Sequence, residues 1–403
     1  MDDVAIAGAG PAGALAATIL ARAGLRVRIF DRARFPRHKL CGDTLNPGAL
    51  DVLRRHDDVS TLLAQSDPID GMILTGPGGV RVTGVYGAGA SGRSITRKAL
   101  DAWLLDRAIR AGAQFEEHVA VRDVVSTNGR VGGVVVGHGN RHPAGLVIAA
   151  DGRRSAIAIG RGLSRQPPWP RRWALGSYFD GVTGLSSFGE MHVRRGHYIG
   201  VAPVPGGLAN ACLVLPYGHP PESRGRVSLS QPGEALASYL RSDPELSARF
   251  ARARPVDAPV MLGPMAVEAA ASGEPGLLLA GDAAGFIDPM TGDGLRFALR
   301  GAELAAAVVL ETRAGSLPLN CAHVELAERR RQAFHNKWRF NRTMRLLVAS
   351  PAGVTAAAAI ATLLPSMFER IIQYAGDCGP AEAGPSQDLE QQDQRDNSVR
   401  GRL

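Results

Sequence analysis

The sequence predicts an α/β protein: a Rossmann-like dinucleotide domain, discontinuous along the chain, with an inserted antiparallel β-sheet and helices at its C-terminal end. Three observations carry this expectation. The apolar run Val4-Ala5-Ile6-Ala7 leads directly into Gly8-Ala9-Gly10-Pro11-Ala12-Gly13. A second apolar run, Leu146-Val147-Ile148-Ala149-Ala150, delivers Asp151-Gly152-Arg153-Arg154-Ser155. A third, Leu277-Leu278-Leu279-Ala280, delivers Gly281-Asp282-Ala283-Ala284-Gly285, which continues through Pro289 to Gly292-Asp293-Gly294-Leu295. One glycine motif alone is a weak signal. Three in this order imply a single long dinucleotide, FAD, held by one domain built from separated segments.

The first motif has the context that its chemistry requires. Val4 to Ala7 reads as a buried parallel strand, and Ala14 to Ala23 is rich in helix formers. Gly8 allows the tight turn, Gly10 lets backbone approach a pyrophosphate, and Gly13 lets helix and strand pack closely. The helix N-terminus offers free N–H groups and partial positive charge to the phosphates. Gly24 stops the helix, Arg26 to Phe30 forms the next strand, and Asp31 at its end is placed to bind a ribose.

Length and composition fit this picture. A chain of 403 residues, 45% hydrophobic and 21% charged, is expected to form two globular domains with a large shared interface. The formal net charge is +8, and almost all of the base is arginine. Those arginines are dispersed and not interleaved with aromatics, which argues against nucleic acid and for anionic cofactors or an anionic membrane surface. The four cysteines, Cys41, Cys212, Cys321 and Cys378, form neither a CxxC pair nor a secreted disulfide framework. The first strand starts at the N-terminus with no room for a signal peptide, so a cytoplasmic location is expected.

Along the chain, residues 1–68, 96–164 and 262–320 are assigned to the cofactor domain. Pro47 to Arg55 reads as a helix, and Ala99 to Ala111 as an amphipathic one with Leu100, Trp103, Leu104 and Ile109 on one stripe. Strands are expected at Ala120 to Val125 and Val131 to Val136. Residues 69–95 and 165–261 carry Gly- and Pro-punctuated alternating runs, and are assigned to an antiparallel substrate sheet. Leu295 to Leu310 is a long Ala-rich helix. Residues 321–376 read as helices broken at Pro351 and Pro365, too short and Pro-bounded to span a membrane and more suited to capping the core. Residues 377–403 have the composition of a disordered tail.

Phe35-Pro36-Arg37-His38-Lys39-Leu40-Cys41-Gly42-Asp43 resembles the FPRxKxCG segment of the geranylgeranyl reductase family of FAD-dependent oxidoreductases. The Gly281–Gly294 segment resembles that family's second FAD motif, and Asp151–Ser155 resembles the DGxxS motif shared with the wider superfamily of proteins similar to p-hydroxybenzoate hydroxylase. The resemblance covers about residues 1–320. It implies that Asp31 binds the adenosine ribose, Arg97 contacts FAD, and Asp282 meets the ribityl and pyrophosphate region. It also implies that the helix starting near Gly294 points at the flavin N1–C2=O edge, where a helix N-terminus stabilises the negative charge of the reduced ring. Cys41-Gly42 would lie beside the isoalloxazine. The expected FAD contacts are therefore Gly8, Gly10, Pro11, Ala12, Gly13, Asp31, Arg32, Lys39, Cys41, Gly42, Arg97, Val121, Asp151, Gly152, Gly281, Asp282, Pro289, Gly292, Asp293, Gly294 and Leu295.

Two departures bear on the substrate. Where the reductases carry an aromatic YxWxFP segment, this chain has Tyr198-Ile199-Gly200-Val201-Ala202-Pro203, with small residues replacing Trp and Phe. The halogenase pattern WxWxIP is not matched by Trp169-Pro170-Arg171-Arg172-Trp173, whose spacing differs. Cys41, His197 and Tyr198 are the catalytic candidates, as acid/base groups or, for Cys41, equally as an inert apolar filler. Asp293 reads equally as a helix N-cap. His138 and His142 sit in a turn and suggest no metal site.

Only one GxGxxG motif is present, so a separate nicotinamide domain is not expected. NAD(P)H would act as a transient electron donor bound in a groove. Three activities remain open: reduction of C=C bonds in an apolar, isoprenoid-like molecule; NAD(P)H-dependent hydroxylation of an aromatic or polyketide-like molecule by way of O2; and electron transfer to a quinone or protein. The expected partner is a small apolar or aromatic substrate, with peripheral membrane contact and no obligate protein partner.

Overall fold

The computed structural model describes residues 1–87, 89–169, 171–216 and 231–377. The tail expected to be disordered lies outside them, except for Asp377. In chain order, the elements that position the site are β1 (Asp2–Ala7), α1 (Pro11–Arg22), β2 (Val27–Phe30), α2 (Pro47–His56), β3 (Gly71–Thr75), β4 (Arg81–Val85), α3 (Arg97–Arg110), β5 (Gln114–Glu116) and β6 (Asn140–Ala149). There follow β7 (Arg172–Asp180), β8 (Phe188–Arg194), β9 (His197–Val204), β10 (Leu208–Pro216), β11 (Leu277–Leu279), α4 (Gly294–Arg313), α5 (Ala322–Ala349), α6 (Pro351–Leu363) and α7 (Pro365–Ala375).

Two sheets organise the molecule. In the first, β11, β6, β1, β2 and β5 run parallel in that order. Val4 to Ala7 are fully buried because both faces of this sheet are covered, which is why the run is continuously apolar rather than alternating. On one face α1 packs against α3 and α4. A Cβ at Gly13 would lie 1.9 Å from the Gly8 carbonyl oxygen, so only glycine lets α1 close on the turn that precedes it.

The second sheet has the path β7–β10–β9–β8–β3–β4. Its register is antiparallel throughout except where β8 meets β3, which pair in parallel, Glu190 opposite Ile73. The expected purely antiparallel sheet is therefore a mixed one. The segment 69–85 is separated from β8 by a long stretch of cofactor domain, and a crossover of that length frees the strands from hairpin geometry.

The helices fall close to their expected positions, with local chemistry at their ends. Asn46 caps α2, its Oδ1 accepting from the Ala49 amide at 2.9 Å, with Pro47 next in line. On α3, Leu100, Trp103, Leu104 and Ala108 are buried, but Ile109 is exposed. At 3.6 residues per turn Ile109 sits roughly 180° from Leu100, and Ala108 completes the stripe instead.

The C-terminal helices do more than cap the core. α5 packs on α4, with Phe334 fully buried, and α7 lies across β4. No single helix among the described residues is long and apolar enough to cross a membrane.

Candidate cofactor and substrate site

A large cavity lies between the two sheets. Its polar end is built at the C-terminal edge of the parallel sheet, where strand ends open in a doubly wound fold. Here Gly10, Pro11 and Ala12 meet Lys39, Cys41 and Gly42, Arg97, Gly152, and Gly281 with Asp282. Pro289, Gly292, Gly294 and Leu295 close the same end. The three sequence motifs thus converge on one space. Its other end is apolar: Met72 and Leu74 of β3, Met191 and Val193 of β8, Gly200 to Ala202 of β9, Phe340 and Met344 of α5, and Ile371 and Ile372 of α7.

Two helix N-termini face this cavity, those of α1 and α4. Neither is capped by a side chain, and neither has an acid in its first turn, so their leading N–H groups and partial positive charge stay open to a ligand. The cationic side chains add to this. Arg97 is buried and bonded by Nε and Nη2 to Asp101 at 2.7 and 2.8 Å. Against the burial penalty, Asp101 and then Cys41 hold its pKa above the ordinary value. Burial, and then Arg97, push the Lys39 ammonium down to about 8, with Asp282 opposing. Burial likewise lowers Arg153, which faces Asp282. Uncapped helix ends and buried cations suit the pyrophosphate and ring of FAD.

Other expected contacts lie behind this lining. Asp31 accepts at 2.8 Å from the Ala9 amide through Oδ2 and from the Ala33 amide through Oδ1, so it ties the glycine turn to the end of β2. Asp151 Oδ2 accepts from the Ala156 amide at 3.0 Å, and its Oδ1 is buried without a partner. Gly8 and Gly13 shape the turn, and Arg32 is exposed beside Asp31. Val121 is half-buried against the cluster around Phe30 and Ala149, outside the cavity lining.

Three expectations are corrected. His197 lies in a different depression, with Arg194, Tyr239 and Asp243, its ring 4.7 Å from that of Tyr239. Burial drops its pKa to about 4. Tyr198 is next in the strand and so points to the opposite face. It too misses the cavity: its hydroxyl donates to Asp288 Oδ1 at 2.5 Å, and Asp288 is paired with Arg172 at 2.9 Å. Asp288 also accepts from the Met290 amide, so this trio holds the Pro289–Gly292 turn at the cavity wall. Finally, Asp293 does not cap α4. It is buried, with Lys337 at 3.5 Å, and it accepts from Asn46 at 3.3 Å and Asn341 at 3.2 Å.

Several residues that line or support the cavity escaped the sequence reading. Glu190 is held by Arg249 at 2.6 and 2.7 Å and by His192 at 2.9 Å; burial would raise its pKa, but His192 and Arg249 bring it down to about 2. Asn210 donates to the Cys41 carbonyl at 2.7 Å and to Asp43. Asn210 is the one amide in an otherwise apolar strand, and that was the available signal; Glu190 shares its strand with His192 and Arg194 and gave none.

The family model described as "FAD binding domain" matches residues 1–334. The chain belongs to that family. It is 31% identical over 318 residues to digeranylgeranylglycerophospholipid reductase 1 of Methanopyrus kandleri, covering 77% of this chain and 80% of that protein. It is 30% identical over 322 residues to menaquinone reductase of Mycolicibacterium smegmatis, covering 75% of each. These relatives bear out the resemblance drawn from FPRxKxCG. Among solved structures, a flavoprotein/dehydrogenase of Cytophaga hutchinsonii superposes with a TM-score of 0.79 at 20% identity, over 93% of this chain and 92% of that one. Flavin-dependent halogenases share the fold as well. The FAD-binding protein described here is an FAD-dependent oxidoreductase.

Proposed function

We propose that this flavoprotein reduces C=C bonds in an apolar, isoprenoid-like molecule. The observation that carries this reading is the apolar end of the cavity, where Met72, Leu74, Met191, Val193, Met344, Ile371 and Ile372 surround a bound chain and the one carboxylate among them, Glu190, is engaged by Arg249 and His192. Gly200 and Ala202 stand where the resembled family has Trp and Phe, and widen the space beside it. Two of its relatives carry the names of reductases of isoprenoid lipids and quinones, which favours the same substrate class.

When bound and reduced, FAD supplies a hydride equivalent. The chain's own residues do the rest. The α1 and α4 N-termini with Lys39 and Arg97 hold the anionic cofactor; the apolar wall orients the chain and excludes water; Cys41, on the lining beside Arg97, holds the proton for the second carbon. NAD(P)H serves as a transient donor, since one glycine motif is committed to FAD. Exposed Ile360, Leu363, Leu364 and Met367 sit where α6 meets α7, the helix that also walls the cavity, and they suit contact with a lipid surface that supplies such a substrate.

The test is incubation of the reduced holoprotein with menaquinone or a geranylgeranylated glycerolipid in anionic vesicles, under anaerobic conditions, with products read by mass. Products are reoxidised in air before the mass is read, which returns any quinol to quinone, so that a gain of two hydrogens per saturated C=C bond is the expected result. Retention of substrate mass, or gain of an oxygen atom on admitting air, overturns the reading in favour of electron transfer or hydroxylation.

A further inference from the structure

Behind Cys41 lies a carboxylate that the proposed chemistry does not yet use. Asp43 is 1% exposed and adopts φ 54°, a left-handed conformation that Asp tolerates better than most residues and that turns its side chain inward. Its Oδ1 accepts from the Arg97 amide at 3.1 Å, and its Oδ2 from Asn210 Nδ2. The same two residues contact Cys41: Asn210 through the Cys41 carbonyl, and Arg97 through its guanidinium. The hydroxyl of the half-buried Tyr178 is hydrogen-bonded to Asp43. Tyr178, on the second sheet, thus joins Asp43, and Asp43 shares Arg97 and Asn210 with Cys41 on the cavity wall.

We propose that Asp43 is a proton-relay residue that recharges Cys41, taking its own proton through Tyr178. This rests on the reductive reading of the cavity. In the step, the Cys41 S–H bond breaks and a C–H bond forms at the carbon that did not receive hydride. Arg97 stabilises the thiolate; Asp43 gives its proton to sulfur and is left as carboxylate; water then restores that proton by way of the tyrosine hydroxyl. No further oxidant or reductant is needed.

The charged and titratable groups facing Asp43 are consistent with this role. Burial pushes its carboxyl up to about 6, opposed by Tyr178, Asn210 and Arg97, so both of its protonation states are populated near neutrality. Tyr178 is raised by burial and by Asp43, and stays a neutral hydroxyl. Cys212, whose thiol lies 3.9 Å from the Cys41 carbonyl, is also pushed up by burial and does not compete. Arg153 faces this group of cysteines from the Asp151 loop.

The holoprotein is compared with its Asp43→Asn and Tyr178→Phe variants by infrared spectroscopy across pH, and by the pH dependence of Cys41 alkylation, read by mass on the Cys41 peptide. The expected result is a carboxylic-acid C=O band that titrates near pH 6, with a matching inflection in Cys41 alkylation. Both are lost in Asp43→Asn; Tyr178→Phe keeps the band but slows single-turnover product formation by about tenfold or more. A wild-type band set unchanged in Asp43→Asn, or Cys41 alkylation indifferent to both substitutions, overturns the proposal. The spectroscopic and alkylation readouts need no substrate. If they behave as expected while no reduced product forms, the reductive reading fails and the proton coupling stands.

Discussion

Lys39 shows how a side chain proposed to hold the cofactor works against the fold. Its ammonium is pulled down to about 8 by burial first and Arg97 second. Below that value it is charged in both folded and unfolded chains, and the penalty for burying the charge is fully present. As pH rises from about 8 toward the ordinary lysine value of 10.5, the folded chain releases its proton first and the penalty disappears. Lys39→Met should therefore raise the thermal midpoint of the apoprotein at pH 7, with a gain that shrinks as pH climbs through that window. The same variant should bind FAD about tenfold more weakly, by loss of a charge-assisted contact. Thermal scans at several pH values and FAD titration check both, and a gain that does not vary with pH would refute the burial argument. Lys39 and Cys41 were legible because a linear motif carries them. Asp43 was equally close in sequence but gave no signal, since its character comes from Arg97, Tyr178 and Asn210, which are distant in the chain.

At the scale of elements, local rules served well where the partners of a residue are local. Asn46 and Pro47 announce α2, and the apolar runs announce β1, β6 and β11, because backbone and side-chain periodicity suffice to place them. Asp293 fails that test: it stands at the head of a helix, as a cap would, yet its partners Asn46, Lys337 and Asn341 come from two other helical segments. Burial raises its pKa even with Lys337 beside it. The docking of α7 is similarly invisible in sequence. It depends on Gly84 in β4, where an added Cβ would stand 2.7 Å from Ile372 Cδ1. Gly84→Ala should therefore lift α7 off the sheet or force Ile372 to shift, at a cost of about 1–3 kcal/mol, the range for overpacked cores. Because Ile371 and Ile372 line the cavity, substrate affinity should fall while FAD content is retained. Proteolysis of the C-terminal helices and FAD quantification test this; an unchanged cleavage rate would refute it.

For the whole molecule, the decisive property is that the cavity wall is drawn from the length of the chain, from Gly10 to Gly376, and from both sheets. Composition and the three motifs pointed to the polar half of that wall. The apolar half comes from strands and helices whose faces are fixed only when β8 joins β3 and α7 crosses β4, and no segment read alone contains that arrangement. One consequence concerns cooperativity. A ligand that binds only the native fold stabilises it by about 2.7 kcal/mol at a hundredfold excess over its Kd. If FAD touched the parallel sheet alone, that gain would be confined to the segments around Gly10, Asp31 and Asp282. With Lys39–Gly42, the Pro289–Gly292 turn and α7 all lining one cavity, removal of FAD should instead loosen segments of both sheets together. Hydrogen exchange of the holo- and apoprotein reads this directly: FAD should slow exchange in residues 39–42, 289–295 and 371–376 as well as at the glycine turn. Protection restricted to the turn and β1 would mean that the two halves of the cavity open independently, and that the substrate end can form without the cofactor.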